Sequence, residues 1–283
     1  MTKKEKEFIL NNYANLGGKK CAEILDIKIT TIYSFAGKNK LRVDKGVLAK
    51  IVSERSKINW SNHEKKDSDY RVNSSYFIDC ITPESAYILG LLWADGTVYQ
   101  NGYQNKIAIE CLEEDMNVFM KYFKESGTWN IYKRKGRISG KGMINLYTNN
   151  KKLANFLTEN DFRNKSIAAP YKIISRIPDD IKHYFFRGWI DGDGCFYFNK
   201  KNSCRQFYLS GAIKQDWGPV SNLFDGMGLK YSICRIKNKH SYSCIRVTNK
   251  KDIDKIGNYI YKKFETDKIG LNRKFDKLQK IIS

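Results

Sequence analysis

Two short apolar runs, ending in aspartates 98 residues apart, constrain this 283-residue chain more than any other feature. The first reads Ile88-Leu89-Gly90-Leu91-Leu92-Trp93-Ala94-Asp95-Gly96, and the second Phe186-Arg187-Gly188-Trp189-Ile190-Asp191-Gly192-Asp193-Gly194. Each carries two small residues four apart, Gly90/Ala94 and Gly188/Gly192. On a helix these share one face, and the missing side chains let two backbones approach closely. An aspartate follows, then a glycine able to end the helix. Two such helices packed together bring Asp95 and Asp193 to the same end. Adjacent buried carboxylates repel unless something neutralises them. Their hard oxygens suit Mg2+, which commonly bridges carboxylates to phosphates. A metal held there activates water, orients a phosphate and stabilises a leaving oxygen. A near-symmetric pair of such groups suits the two strands of a duplex.

The rest of the chain repeats at nearly the same offset. Gly127 and Gly228 each precede a Tyr- and Lys-rich strand, and Thr148-Asn149-Asn150-Lys151-Lys152-Leu153 resembles Thr248-Asn249-Lys250-Lys251-Asp252-Ile253. Several landmarks in register predict a duplicated unit. Each unit reads as an apolar helix, a strand pair, a helix, a second strand pair and a closing helix. Strands are expected at Lys106 to Leu112, Met143 to Thr148, Arg205 to Lys214, Tyr231 to Lys237 and Tyr242 to Thr248, where polarity alternates in several. The expected class is α+β, with two αββαββα repeats at residues 80–170 and 171–283.

Charge points to the partner. The formal net charge is +21, with 51 Lys+Arg against 30 Asp+Glu, a balance that attracts polyanions and above all nucleic acid. Basic residues gather at the expected strand turns: Lys133, Arg134, Lys135, Arg137 and Lys141 at one, Lys200, Lys201 and Arg205 at another, Arg235, Lys237 and Lys239 at a third. Recurrence in both halves predicts a DNA-facing sheet rather than merely solvated tips. Residues 1–52 are expected to form a small all-α module. Between Lys19 and Leu41, Ala22, Leu25, Ile27, Ile32 and Phe35 keep core spacing around a polar turn at Asp26 to Lys28, the pattern of a helix-turn-helix. Its second helix would offer Thr30, Thr31, Ser34 and Lys38 to a DNA groove. Residues 1–66 add 15 Lys+Arg against 7 Asp+Glu. Residues 53–79 are polar and read as a linker, either a solvated tether or a segment along phosphates.

The seven cysteines form no Cys-x-x-Cys pair and the three histidines are scattered, so neither a zinc site nor a disulfide framework is expected. No apolar run is long enough for a spanning helix, and no membrane partner or small-molecule cofactor is expected. The expected setting is cytoplasmic, in a bacterial or phage-infected cell.

The two nonapeptides resemble the paired motif of LAGLIDADG homing endonucleases, and the resemblance extends over residues 82–283. It implies a pseudo-twofold monomer with a saddle of strands in the DNA major groove, cutting both strands of a double-stranded target with Mg2+. By position it makes Asp95 and Asp193 the metal-binding acids, assisted by the carbonyls of Ala94 and Gly192. It also implies a basic residue beside each metal. Phe162-Arg163-Asn164-Lys165-Ser166 and Leu271-Asn272-Arg273-Lys274-Phe275 correspond to that region, with Lys165 and Lys274 as first choices and Arg163 or Arg273 as alternatives. The chain departs from the family pattern at Trp93, where an acid is usual and Asp191 keeps one. Leu89 and Arg187 replace a small residue, which is expected to loosen the helix contact there. Cys111 and Ala212 stand where many relatives carry a water-ordering polar residue. The same fold also serves DNA-binding regulators without cleavage and RNA-binding intron maturases.

Overall fold

The computed structural model describes residues 1–51, 71–79, 81–101, 104–136, 140–237 and 241–283. The chain divides into two compact units, Met1–Lys66 and Asp67–Ser283.

The first unit is helical. Helix α1 (Lys3–Leu25) opens with a capping box between Thr2 and Glu5 and breaks at Gly17, whose φ of 71° few other residues adopt. Asp26 closes it in the left-handed conformation, φ 52°, and α2 (Ile29–Lys38) follows the short turn. Residues 45–51 are again helical, as α3. The expected polar turn at Asp26 to Lys28 is therefore where the chain reverses. Ile9, Tyr13, Cys21, Ala22, Ile32 and Ala36 form the core, with Leu25, Ile27 and Phe35 packed on it. Thr30, Thr31, Ser34 and Lys38 all lie exposed on α2.

The second unit begins earlier than expected. Val72, assigned to the linker, pairs with Gly127, and both Val72 and Phe77 of α4 (Ser75–Ile78) are fully buried. Residues 71–79 thus contribute Val72 and Phe77 to the core, anchored by a partner more than fifty positions away that no local pattern reveals.

Two units of identical element order follow. The first runs α5 (Pro83–Asp95), β1 (Gly96–Asn101), β2 (Gln104–Leu112), α6 (Glu113–Glu125), β3 (Asn130–Lys135), β4 (Gly142–Asn149) and α7 (Lys151–Glu159). After α8 (Tyr171–Arg176) the second runs α9 (Lys182–Asp193), β5 (Gly194–Asn199), β6 (Cys204–Ala212), α10 (Gly218–Gly226), β7 (Ser232–Ile236), β8 (Tyr242–Val247) and α11 (Lys250–Ile260), then α12 (Phe264–Asp267) and α13 (Asn272–Ile282). Each repeat builds one antiparallel sheet, in strand order β1-β2-β4-β3 and β5-β6-β8-β7. This α+β architecture is the αββαββα duplication read from the sequence. Asn150 caps α7 and Asn249 caps α11, so the closing helices start one position off the alignment drawn from the flanking threonines.

Alternation places one face of each sheet inward. Ile107, Ile109, Ile144 and Leu146 of the first sheet, and Phe196, Phe207, Leu209 and Ile245 of the second, are buried in one continuous core. At the centre of that core α5 lies against α9, with Ser85 through Trp93 and His183 through Asp191 buried. The start of α5 is set by Pro83 and by a capping box in which Thr82 and Ser85 exchange hydrogen bonds.

Candidate nuclease site

The seam between α5 and α9 is symmetric down to its atoms. A Cβ on Gly90 would overlap the carbonyl oxygen of Phe185 and lie 2.8 Å from the Trp189 nitrogen. A Cβ on Gly188 would overlap the Tyr87 carbonyl oxygen and lie 3.0 Å from the Leu91 nitrogen. Each glycine therefore meets the counterpart of what the other meets, and backbone rather than side chain sets the distance. Nearer the helix ends, a Cβ on Gly192 would overlap that of Ala94 and lie 3.2 Å from Asp95 Oδ2. The two helix termini, with Asp95 and Asp193, stand side by side.

Leu89 and Arg187 do not loosen this contact. Both are fully buried but turned away from it, because consecutive helical residues point about 100° apart and Gly90 and Gly188 hold the seam. Arg187 instead grips the segment leading to α13, donating to the carbonyls of Ile260 (2.5 Å), Lys262 (2.7 Å) and Ile269 (2.6 Å) and pairing with Asp267 (3.2 Å).

A lysine sits beneath each helix end. Lys165 Nζ donates to the carbonyls of Leu92 (3.3 Å), Ala94 (2.7 Å) and Gly96 (2.5 Å). Lys274 Nζ donates to those of Ile190 (2.7 Å), Asp191 (2.6 Å) and Gly194 (2.8 Å). Each lysine thus bridges the last turn of its helix to the first residue of the following strand, at the helix end where a cation is favoured electrostatically. Of the alternatives, Arg273 is committed elsewhere, holding Asp115 at the start of α6 through two hydrogen bonds, one of 2.7 Å and one of 2.5 Å. Arg163 is exposed.

Electrostatics mark the same place. Burial and then the charge of Asp95 push the Asp193 carboxyl up to about 7, against the pull of Lys165 and Lys274. Burial raises Asp95 as well, opposed by the same two lysines. Lys165 is brought down to about 8 by burial, despite Asp193 and Asp95, and burial lowers Lys274. Two acids and two cations converge where neither sign is comfortably solvated. The halves are not identical. The Trp189 side chain works against the rise at Asp193. Asp191 is wholly buried and accepts from Tyr87 Oη (2.7 Å), Tyr261 Oη (3.1 Å) and the Leu271 amide (2.9 Å), whereas Trp93 at the matching position packs edge-on against Phe162 and Trp189. Cys111 lies near Asp95 and Asp115, its thiol pushed up by burial.

The basic residues expected on a single sheet face divide between faces. Strand register puts Tyr99, Asn101, Gln104, Lys106, Asn130, Tyr132, Arg134, Asn145 and Asn149 on the outer face of the first sheet, away from the core. Lys133 and Lys135 have the opposite parity. Lys133 accordingly bonds Glu113 of α6 at 2.8 Å on the helix side. Arg134 does face outward, but Glu110 holds it through two bonds of 2.6 and 2.7 Å. On the second sheet, Arg205 stacks over Phe198, with its guanidinium carbon 5.2 Å from the ring, and Arg235 shares the inward parity of Ser243. Lys141, Lys200, Lys201 and Lys237 flank the strand tips, and Arg137 and Lys239 fall outside the described residues. The outer face of the first sheet is thus mainly amide and phenol, that of the second carries Tyr197, Gln206, Tyr208, Tyr242 and Arg246 among cysteines, and cations border both. Period-2 alternation along the strands is the sequence signal that marks these residues.

No family model and no curated protein matches the sequence. Solved structures similar to this chain are LAGLIDADG homing endonucleases. The homing endonuclease I-WcaI bound to its DNA recognition sequence is 17% identical, over 69% of this chain and 85% of that one, with a TM-score of 0.48. The LAGLIDADG meganuclease I-AabMI bound to uncleaved DNA is 16% identical over 71% and 89%, with a TM-score of 0.47. I-DmoI in complex with DNA and Mn is 16% identical over 63% and 96%, with a TM-score of 0.44. No helix among the described residues is long and apolar enough to cross a membrane.

Proposed function

We propose that the chain is a site-specific double-strand DNA endonuclease that hydrolyses phosphodiester bonds with a divalent metal, Mg2+ in the cell, and acts as a monomer. The observation that carries this reading is the pairing of Asp95 and Asp193 at abutting helix ends, one above the half-buried Lys165 and the other above the buried Lys274. The carboxylates fit a hard dication, which would offset the burial and the mutual repulsion that together raise Asp193. Among the described residues no three His, Cys, Asp or Glu side chains converge on a metal site, so water and substrate oxygens would complete the coordination. Asp95 and Asp193, with help from the Ala94 and Gly192 carbonyls, would hold the metal, which when bound polarises the phosphate and lowers the pKa of water. Lys165 and Lys274, already fixed by three carbonyls each, favour negative charge building on the phosphate without having to reorganise. The pseudo-twofold seam offers one acid to each strand. The outer sheet faces read bases while the cations at the tips and Thr30, Thr31, Ser34 and Lys38 of α2 meet backbone and groove, a division of labour usual in DNA recognition. The test is incubation of the full chain with DNA flanking its own gene, with and without Mg2+. Double-strand cuts that need the metal and vanish in Asp95→Asn support the reading. Binding without cleavage would mean a regulator, and selective binding of intron RNA a maturase.

A further inference from the structure

The two outer sheet faces differ in chemistry. On the first, the carboxamides Asn101, Gln104, Asn130, Asn145 and Asn149 share one face with exposed tyrosines. On the described strands its cations are Lys106, which stands 4.5 Å over the Tyr147 ring, and Arg134, which is tied to Glu110. On the second, the described strands bring outward only two carboxamides, Asn199 and Gln206, and Asn199 already accepts a 3.0 Å bond from the Lys201 amide. Four cysteines, Cys195, Cys204, Cys234 and Cys244, occupy positions of the same parity there.

A carboxamide pairs bidentately with N6 and N7 of adenine in the major groove, whereas reading guanine takes a free arginine or lysine. A thiol has little to offer a base edge beyond apolar contact with a thymine methyl. Resting on the nuclease reading above, we propose that this protein takes a target whose sequence information is concentrated in one half-site, the one under the first sheet, and that this half-site is rich in A·T pairs read by Gln104, Asn145 and Asn149. Gln104 and Asn149 are exposed at the ends of their strands and Asn145 lies between Glu110 and Tyr132, so the three span the face from tip to centre. The second half-site, met on the described strands by thiols, tyrosines, Gln206 and Arg246, tolerates more variation.

The experiment is selection by the full chain from a duplex library randomised in both half-sites, sequencing both the molecules retained and the molecules cut in Mg2+. The expected pool shows strong A·T preference across one half-site and weak preference across the other. Gln104→Arg, at an exposed hairpin position where the fold is indifferent to the change, shifts one position of the strong half-site from adenine towards guanine by roughly tenfold or more. A cut pool with equal information in both halves, or with guanine and cytosine in the strong one, or a Gln104→Arg pool identical to wild type, overturns the inference and leaves the nuclease reading standing. A library neither retained nor cut overturns the nuclease reading, and this inference with it.

Discussion

Tyr87 on α5 donates a 2.7 Å hydrogen bond to the buried carboxylate of Asp191 on α9, so a side chain of one repeat satisfies a charge-bearing group of the other. Together with Tyr261 and the Leu271 amide it encloses Asp191 in donors, which marks this acid as a structural fastener, distinct from the proposed metal-binding pair Asp95 and Asp193. Tyr87→Phe is expected to cost about 1.5–3 kcal/mol, the usual loss for a hydrogen bond to a charged group, while leaving metal-dependent cutting in place. Urea unfolding measures the first and plasmid linearisation the second. An unaltered midpoint would show that the hydroxyl contributes nothing.

Asp95→Asn and Asp193→Asn are each expected to remove most double-strand cleavage. DNA affinity should stay near wild type, since binding rests on phosphate and groove contacts elsewhere. Gel shifts in Ca2+ and cleavage in Mg2+ separate the two effects. Either variant cutting both strands at the wild-type rate would remove the assignment.

Gly188→Leu must push apart two backbones, because the added Cβ alone overlaps the Tyr87 carbonyl oxygen. The expected destabilisation is on the order of 1–3 kcal/mol or more. For a protein of this size that lowers Tm by several degrees, roughly 2–4 °C per kcal/mol. A variant that melts with wild type would mean the helices do not close on this glycine.

His183 is buried against Tyr184 and Tyr259 with no partner among the described residues for its Nε2, and burial followed by the charges of Arg187 and Lys262 brings it down to about 4. A base with a depressed folded pKa contributes stability that is fully present above its unfolded value, near 6.5 for histidine, and is lost as pH falls through the folded value. The His183 contribution should therefore be lost between about pH 6.5 and 4, opposed by the raised Asp193 carboxyl, which gains stability as pH falls below about 7, and His183→Phe should remove the loss so that the variant gains stability relative to wild type towards pH 4. Thermal melts across this range decide it, and an equal slope in the variant would assign the acid sensitivity elsewhere.

Lys38→Ala on α2 is expected to weaken DNA binding and to reduce the log–log salt slope by roughly 0.9 if the lysine neutralises one phosphate. Cut positions should not move, since the proposed catalytic acids Asp95 and Asp193 lie in the second unit. Affinity measured across a salt series, with the ends of the products mapped, is the check. An unchanged slope would mean that α2 does not meet the backbone.

What the sequence by itself determined is whatever depends on neighbours along the chain. Small residues four apart followed by Asp-Gly specify a helix that can abut its twin, and the offset of 98 residues between the two aspartates specifies the duplication. Alternating polarity placed β2, β4, β6, β7 and β8 nearly to the residue, and a polar turn placed the reversal after α1. The acids and the lysines beneath them were legible through motif resemblance. The tertiary structure decided the rest, because those features depend on distant partners. Val72 joins the core only because Gly127 lies beside it. Lys133 and Arg134 are adjacent in sequence, yet strand parity sends one to Glu113 and the other to Glu110 on opposite faces. Arg187 looked like an intrusion into the helix seam until a rotation of one residue turned it towards the carbonyls of Ile260, Lys262 and Ile269, a destination set by packing more than seventy positions away.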